Sequence, residues 1–549
     1  MLGFFNKNKG QEPEVDDNVN GRDGDVNSVS SRRKKLGSTA TIFAAGAALF
    51  SDGYANAVVS PVSTILAILY PDWMNSDLSQ NRSLVGAMGF AGTELGRYRT
   101  AISQVDKWQV ASLLTQYTTV VVGMITFGFV SDKLGRKPGM FLTTAIIFVF
   151  MILMACSAGP TPQVLINCLI AFRFFVGIGI GGEYPCGSTA AAESTENSGV
   201  KKNHQQRLFV WATHFMIDLG FPMAWFVALV LLWIFGMDHL RAVWRGALLF
   251  GAIPPLLLIF ARMFMDEPEA YKKNAMKHVK IPYRLIIKRY WRKLAAVSFC
   301  WFIYDWITYP FGMYASDITS GAIGDNPTLY QTLAWSCLIN FFYCPGAFVG
   351  AYFSDWLGPK RCFIFGLVMQ AIFGFSLSGG YSYFKQHTAG FAIFYGIFLS
   401  FGEIGPGNNI GLFAAKAIGP TAVRAQLYSF AAASGKVGAF VGTYTFPYII
   451  AHFPDGSQLR STGIFYIGSG LALLSATVCF FFFPAIKADA MVDEDREFRE
   501  FLVAHGIDIS HMGMVDDPSG ESAAEIAKAD EKPYKETAAV VEVNDPSKN

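Results

Sequence analysis

The stretch SDKLGRK at Ser131–Lys137 returns about 220 residues later as SDWLGPK at Ser354–Lys360. Each copy follows a long apolar run and precedes another, which predicts a tight, basic loop between two membrane-spanning helices. A repeat of this kind indicates a chain built from two similar halves. A duplicated membrane protein with its site between the halves has the architecture of a secondary transporter.

The composition is that of a protein embedded in lipid. Of the 549 residues, 52% are hydrophobic and only 16% are charged, whereas soluble domains are about a quarter charged. The eight cysteines include no C-x-x-C pair and no His/Cys cluster at metal-ligand spacing, so we interpret them as buried thiols and expect no metal. The net charge of +2 gives no sign of a nucleic-acid partner, and the lipid bilayer is the expected surrounding.

Hydropathy predicts an all-α integral membrane protein with twelve spans, because runs of about 20 apolar residues cross a bilayer as helices. We expect two six-helix halves, 40–265 and 294–484, joined by a basic linker at 266–293. The predicted spans are 40–70, 106–131, 140–158, 163–187, 207–236, 243–265, 294–318, 329–353, 362–380, 388–415, 425–450 and 462–484.

Charge predicts the orientation. The linker and both repeated loops are rich in Lys and Arg, which places them in the cytosol by the positive-inside rule. An even number of spans then puts both tails in the cytosol: residues 1–39, which we expect to be disordered, and residues 485–549, expected to be mostly disordered with one short helix. The loop at 71–105 would lie outside, where Asn81 begins a glycosylation sequon.

Ionisable residues inside the spans are candidates for function, because each is costly in lipid unless it faces a cavity or a partner. Each also has a structural interpretation, as a helix-packing ion pair or as a residue beyond the true end of its span. These residues are Asp52, Arg173, Glu183, His214, Asp218, Asp305, Glu403 and Lys436.

Two carboxylates in the first half are candidate proton carriers. Asp52 lies in the first span, and Glu183 follows a glycine run in the fourth span, where Pro185 opens the helix. Burial favours the protonated form of a carboxylate and a nearby guanidinium favours the charged form, so such a group can exchange protons near neutral pH. We assign Arg173 as the cation that modulates them.

The second half carries a candidate cavity wall. Trp301, Asp305 and Tyr309 are four residues apart and therefore lie on one face of the seventh span. Lys436 lies in Ala433–Gly438 on the eleventh span, where it is placed to meet an anion or to neutralise Asp305. The full phosphate-loop pattern is absent around Lys436, so we reject a nucleotide site.

These motifs resemble the phosphate/proton symporter family of the major facilitator superfamily, and specifically its fungal glycerophosphodiester permeases. Gly181–Pro185 is similar to the family's Gly-Gly-Asp-Tyr-Pro signature, and the Trp-x3-Asp-x3-Tyr and Ser-Gly-Lys-Val-Gly motifs are both present. The resemblance covers about residues 40–485. It implies the major facilitator fold, a proton-coupling role for Asp52 with Arg173, and a substrate site formed by Tyr184, Trp301, Asp305, Tyr309 and Lys436.

Two departures from this family point to the substrate. Asp218 and Glu403 stand where phosphate transporters have neutral amides, and Gly407 replaces a bulky Asn. Extra acids repel inorganic phosphate, whereas extra acids and extra room suit a larger diester that carries a cation. Glycerophosphocholine has such a cation, which carboxylates and aromatic faces hold best. The candidate aromatic residues are Tyr184, Trp301, Trp306 and Tyr309. Alternatively, Asp218 and Glu403 are additional protonation sites.

We therefore expect a proton-coupled importer of glycerophosphocholine that works by alternating access, uses no cofactor beyond the proton gradient, and acts as a monomer in the plasma membrane. Alternatives are a glycerophosphoinositol symporter, an inorganic phosphate symporter and a receptor without transport. A membrane phosphodiesterase is disfavoured, because the spans hold no pair of His at ligand spacing. Asp132, Arg136 and Asp355 are expected to latch helix ends together on the cytosolic side.

Overall fold

The computed structural model describes residues 37–71, 104–196, 200–277, 279–313, 328–384, 387–454, 457–509 and 512–513. Within these ranges the chain is helical and contains no strand. The predicted tail before residue 37, the Asn81 sequon, the predicted end of the seventh span and most of the C-terminal tail lie outside the described residues.

The first half contains six long helical stretches. They are α1 (Ser38–Leu69), α2 (Gln104–Leu134), α3 (Arg136–Ala155), α4 (Pro162–Thr195), α5 (Lys202–Phe235) and α6 (Met237–Met263).

The second half also contains six long helical stretches. Its helices are α7 (Tyr283–Met313), α8 (Leu329–Trp356), α9 (Pro359–Gly379), α10 (Thr388–Gly402, Glu403–Gly407 and Asn408–Lys416), α11 (Arg424–His452) and α12 (Gln458–Phe482). A short helix, Glu269–Asn274, lies between the halves, and an amphipathic helix, α13 (Ala490–Ala504), follows α12.

Each predicted span has a helix in the described part of the chain, but several boundaries differ. Helix α7 begins at Tyr283, inside the predicted linker, and α4 continues to Thr195, beyond its predicted end at 187. Counted over the described residues, eight of the stretches are long and apolar enough to cross a membrane by composition alone. Helices α7 and α11 are not among them; they carry Asp305 and Lys436 and pack against each other.

The two halves meet along two pairs of helices. Helix α2 packs against α11, and α5 packs against α8. Inside the halves, α4 packs on α2 and α3, and α12 packs on α9. Asp52, Asp218, Asp305, Glu403 and Lys436 are buried ionisable residues on α1, α5, α7, α10 and α11 respectively.

Helix α10 departs from regular α-helix where it carries its acid. Glu403–Gly407 forms one π-helical turn that includes Pro406, which lacks an N–H for the helical ladder. A Cβ at position 366 would meet the backbone of Gly405, so α9 and α10 approach closely at this turn. Glu403 begins this π-helical turn, and its side chain contacts His214 of the first half.

Candidate transport site

A small cavity lies between the halves. Its volume is about 40 Å³, which is room for about three water molecules. Six of the seven predicted substrate-binding residues line it: Tyr184, Asp218, Trp301, Asp305, Tyr309 and Lys436. The seventh, Glu403, contacts the lining residues His214 and Tyr304. Trp306 is buried outside the lining.

One side of the cavity is built around Lys436. Its ammonium lies 3.3 Å from Asp52 Oδ2 and 3.9 Å from Asp305 Oδ2, and it donates to the Tyr309 hydroxyl. It also lies over the aromatic rings of Tyr184 and Tyr309, at 4.9 and 4.3 Å from their centroids. Lys436 therefore joins α11 of the second half to α1 and α4 of the first.

Asp52 is held by donors on all sides. The hydroxyls of Tyr184 and Tyr309 donate to its Oδ2, the latter at 3.4 Å, and Asn56 donates to Oδ1 at 2.7 Å. Asp52 is 1% exposed and does not line the cavity itself. Tyr184 does line the cavity, and its hydroxyl donates to Asp52, so this residue links the cavity to the Asp52 carboxylate.

Helix α7 presents its three predicted residues to the cavity, as their spacing predicts. Trp301 packs edge-on against Tyr428 at 5.6 Å and fills the space beside Gly435, where a Cβ would overlap the indole. Asp305 is 2% exposed, and its Oδ2 has no hydrogen-bond partner in the described part of the chain. This carboxylate oxygen is therefore available to a ligand or a proton.

The other side of the cavity holds an acidic cluster that includes a histidine. His214 Nε2 lies 2.6 Å from Glu403 Oε2 and 3.5 Å from Asp218 Oδ2. Tyr304 donates to the same Glu403 oxygen at 2.6 Å. The sequence marked His214 only as an ionisable residue within a span and did not mark Tyr304 at all. The one available signal for His214 was its spacing of four residues from Asp218 on α5.

Gly407 makes this cluster possible. A Cβ at position 407 would overlap Glu403 Oε2 and His214 Nε2. The missing side chain therefore makes room for the contact between His214 and Glu403, and not only for a larger substrate as the sequence predicts.

The charges around the cavity do not balance. The carboxylates of Asp52, Asp218, Asp305 and Glu403 face the single ammonium of Lys436, a formal sum of −3 with His214 neutral. A buried excess of negative charge is costly unless protons or a cationic ligand neutralise it. The cavity therefore suits a ligand that brings positive charge or arrives with protons.

Glu183 lies elsewhere, in a closed ion pair with Arg262 of α6. The two guanidinium nitrogens lie 2.7 and 2.8 Å from the two carboxylate oxygens. Thr143 and Thr144 also donate to Glu183, at 2.6 and 2.8 Å. Glu183 does not line the cavity, so these surroundings favour a helix-packing role over the predicted proton carrier. The sequence analysis did not mark Arg262 as a candidate, although this residue lies inside the predicted sixth span, 243–265.

Arg173 does not contact either predicted carboxylate. Its Nε and Nη2 atoms are buried without a hydrogen-bond partner among the described residues. The cation beside Asp52 is Lys436 and the cation beside Glu183 is Arg262. The expected modulation of both carboxylates by Arg173 therefore has no counterpart in this arrangement.

The repeated loops close one end of the helix bundle, which we call the basic end. Asp132 accepts hydrogen bonds from the backbone N–H groups of Ala425 and Gln426, at 3.2 and 3.0 Å, at the start of α11. Arg136 pairs with Asp132 at 2.5 Å and with Glu193 at 2.8 Å. The first loop thus binds the N-terminus of a helix in the other half, where a carboxylate is favoured.

Asp355 makes the corresponding contact from the second repeated loop to the first half. It accepts from the backbone N–H of Arg207, at 3.2 Å, near the start of α5, and lies 3.6 Å from the Arg207 guanidinium. Glu196 of α4 also pairs with Lys416 of α10 at 3.1 Å. In this conformation both repeated aspartates therefore hold the halves together at the basic end.

Helix α13 packs across this end. Met491, Phe498 and Leu502 are its buried apolar residues. Glu494 accepts from Tyr290 of the second half at 2.6 Å, whereas the Met491 N–H donates to Glu196 of the first half at 3.2 Å. The part of the C-terminal tail up to residue 504 is therefore ordered and contacts both halves.

Comparison with known proteins places the chain among transporters. The family model described as "Sugar (and other) transporter" matches residues 40–279 and 269–498. The chain is 43% identical over 476 residues to the glycerophosphocholine permease GIT4 of Candida albicans, covering 86% of this chain and 83% of that protein. It is 39% identical to the major glycerophosphoinositol permease GIT3 of the same organism, with the same coverage.

Solved structures agree with this fold. The proton:xylose symporter XylE of E. coli, bound to 6-bromo-6-deoxy-D-glucose, superposes with a TM-score of 0.67 at 17% identity, over 84% of this chain and 98% of that chain. The predicted fold and family are confirmed, and the relatives and structural neighbours are transporters and not enzymes. The chain belongs to the sugar (and other) transporter family of the major facilitator superfamily, within its branch of fungal glycerophosphodiester permeases.

Proposed function

We propose that this protein imports glycerophosphocholine together with protons by alternating access. The observation that carries the proposal is the arrangement of charge in one cavity, with Lys436 on one side and the Asp218–Glu403 pair on the other. A zwitterion with an anionic phosphodiester and a quaternary ammonium matches both sides. The names of the relatives support a glycerophosphodiester as the substrate class.

Protonation of Asp52 is the proposed coupling step. While Asp52 is charged it neutralises Lys436, which leaves the ammonium little attraction for an anion. A proton that reaches Asp52 through Tyr184 releases Lys436 to bind the phosphodiester. The order of events is then proton first and substrate second, and the two cross the membrane together.

The choline group is proposed to lie near Asp218 and Glu403. A quaternary ammonium has no N–H to donate, so Coulomb attraction and aromatic faces must hold it. Trp301 lines the cavity, and Asp218 Oδ2 and Glu403 Oε1 are buried without hydrogen-bond partners among the described residues. A cation at this place would offset part of the negative charge of the cavity.

Conformational change is required for release. The present cavity is too small for a glycerophosphodiester, and the contacts of Asp132 and Asp355 close the basic end. Alternating access then means that these contacts break while the halves separate at the basic end. The positive-inside rule supports a cytosolic basic end with both chain termini on that side. We further propose that the protein acts as a monomer, because the cavity lies between the two halves of one chain, and that it lies in the plasma membrane, as its resemblance to fungal permeases implies.

Glycerophosphoinositol is the second candidate, because GIT3 is nearly as similar as GIT4. Its uncharged inositol ring would gain no Coulomb attraction from the carboxylates of Asp218 and Glu403. The test is uptake of labelled glycerophosphocholine by purified protein in liposomes, with and without an inward proton gradient, in competition with unlabelled glycerophosphocholine, glycerophosphoinositol or phosphate. We expect gradient-driven uptake that the choline diester blocks best. Stronger block by the inositol diester or phosphate would overturn the substrate, and binding without flux would indicate a receptor.

A further inference from the structure

We propose that His214, Asp218 and Glu403 form a binding site for one divalent transition-metal ion, with Zn²⁺ as the ion that fits best. The three residues offer one nitrogen and two carboxylate oxygens that all lie within 4.8 Å of one another. None of the comparisons assigns a metal to this chain. The site lies in the transport cavity, because His214 and Asp218 line it.

The distances between ligand atoms are close to those of a zinc site. Zinc binds imidazole nitrogen and carboxylate oxygen at about 2.0–2.1 Å in tetrahedral geometry, which separates the ligand atoms by roughly 3.4 Å. His214 Nε2 is 3.5 Å from Asp218 Oδ2 and 2.6 Å from Glu403 Oε2. A side-chain shift of about 1 Å that opens the contact between His214 and Glu403 would give this pair the separation of two zinc ligands. Water would be the fourth ligand of the bound ion.

Two buried carboxylate oxygens that lack hydrogen bonds in the described part of the chain support a cation at this site. Asp218 and Glu403 are 2% and 1% exposed, yet Oδ2 of the first and Oε1 of the second have no hydrogen-bond partner among the described residues. Buried carboxylate oxygens are normally satisfied. With His214 neutral, the two acids carry a charge of −2, which a divalent ion would neutralise.

The surroundings also resemble the outer ligand layer of a metal site. Tyr304 donates to Glu403 Oε2 at 2.6 Å and so fixes the orientation of that carboxylate, as residues around bound metals commonly do. Gly407 leaves the space between Glu403 and His214 free of any Cβ. One imidazole and two carboxylates, with no thiolate, favour Zn²⁺, Mn²⁺ or Co²⁺ over Cu⁺.

Metal binding would act on transport by competition. The proposed function assigns Asp218 and Glu403 to the cationic head group, and an ion at the same carboxylates would exclude it. The metal site itself does not depend on the identity of the substrate, so its test is a binding measurement. Zn²⁺ would inhibit uptake of a choline diester with an apparent affinity equal to that of the site.

The experiment titrates the purified full-length protein with Co²⁺, whose visible absorption reports tetrahedral N/O coordination, and then displaces Co²⁺ with Zn²⁺. We expect one equivalent of Co²⁺ and at least tenfold weaker binding in His214→Gln and in Glu403→Gln. His239→Gln is the matched control, since His239 is exposed in the first turn of α6, and it should bind like the wild type. Equal affinity in His214→Gln and the wild type, or no Co²⁺ binding, would overturn the proposal.

A second variant guards against loss of the fold. Tyr304→Phe keeps all three ligands and removes only the hydrogen bond to Glu403, so we expect it to retain the Co²⁺ spectrum with about tenfold weaker binding. Glycerophosphocholine should lower the Co²⁺ affinity of the wild type. Selective competition in uptake assays without any Co²⁺ signal would refute the metal site and leave the proposed substrate intact. A Co²⁺ signal in protein that does not transport the choline diester would support the metal site and refute the proposed substrate.

Discussion

The ammonium of Lys436 lies 3.3 Å from the carboxylate of Asp52, although the two residues are 384 positions apart and belong to different halves of the chain. Both groups are almost fully buried. An ion pair in this position links the charge state of Asp52 in one half to Lys436 in the other. In the proposed mechanism this link allows a proton and an anion to be bound together.

Asp52→Asn is predicted to uncouple transport from the proton gradient. The substitution keeps the shape of the side chain but leaves it permanently neutral, so Lys436 is free at every pH. We expect substrate binding to persist while gradient-driven accumulation in liposomes falls by about tenfold or more, equivalent to about 1.4 kcal/mol. The control is Asp238→Asn, an exposed acid in the first turn of α6. Unchanged gradient dependence in Asp52→Asn would assign coupling to another residue.

Asp218→Asn combined with Glu403→Gln is predicted to change selectivity between diesters. Removing both charges takes away the attraction for a quaternary ammonium, and loss of one partner from a buried charge pair typically costs about 2–5 kcal/mol. The KM for glycerophosphocholine should rise tenfold or more, whereas uptake of glycerophosphoinositol should change by less than about threefold. Equal losses for the two substrates would contradict the cation site and favour the interpretation of these acids as protonation sites.

Glu183→Gln is predicted to impair stability without altering proton coupling. Arg262 would remain buried and lose its charged partner, which typically costs about 3–5 kcal/mol. The melting temperature of the detergent-solubilised protein should fall by several degrees, and the pH dependence of the remaining uptake should match the wild type. A normal melting temperature with an altered pH profile would return Glu183 to the role of a proton carrier.

The helical spans and six of the residues that line the cavity could be predicted from the sequence. Hydropathy marks a helix in lipid, and the four-residue spacing of Trp301, Asp305 and Tyr309 places them on one face whatever the tertiary structure. The assignment of Tyr184 came from the resemblance to a family, whereas Asp218 and Lys436 were marked first by their charge inside predicted spans and then by the resemblance. The roles of these residues remain predictions.

Partners that are distant in the sequence could not be predicted in this way. Arg262 reaches Glu183 across 79 positions, and Asp52 meets Lys436 in preference to Arg173. Nothing in the spacing of the residues encodes such pairs; the packing of α1, α4, α6 and α11 selects them. The ordered packing of α13 could not be predicted for a similar reason. Its charged residues are typical of a disordered tail, and its partners Tyr290 and Gln205, which bind Glu494 and the preceding Asp489, are distant in the sequence.

Asp132→Asn is predicted to loosen the basic end. The substitution removes the charge that binds the N-terminus of α11 and leaves Arg136 with one carboxylate partner instead of two. Spin labels at positions 134 and 356, which are exposed and lie in different halves, would report the separation after replacement of the accessible native cysteines. We expect a larger population at long distance than in the wild type. An unchanged distance distribution would refute the latch role of this aspartate.

The attachment of α13 is predicted to weaken in acid. The hydrogen bond and ion pair with Lys202 lower the pKa of Asp489 below its usual value. A carboxylate with a lowered pKa stabilises the folded arrangement above about pH 4, and this contribution is lost as the pH falls through the lowered value. At neutral pH, Asp489→Asn should speed hydrogen exchange in α13 by about twofold, as expected for an exposed pair.

The control for α13 is Asp493→Asn, whose partner Arg496 lies in the same helix. This variant should exchange like the wild type at neutral pH, because its ion pair does not connect α13 to the rest of the protein. Faster exchange in both variants would mean that the charge of α13, and not its contact with Lys202, controls the attachment.

The most direct test of the account is proton movement driven by the substrate. Purified protein would be reconstituted in liposomes that contain a pH-sensitive dye, and glycerophosphocholine would be added outside with no initial pH gradient. We predict acidification of the lumen in step with uptake by the wild type, and none with Asp52→Asn. Uptake of the diester without acidification, or acidification that persists in Asp52→Asn, would contradict proton coupling through the Asp52–Lys436 pair.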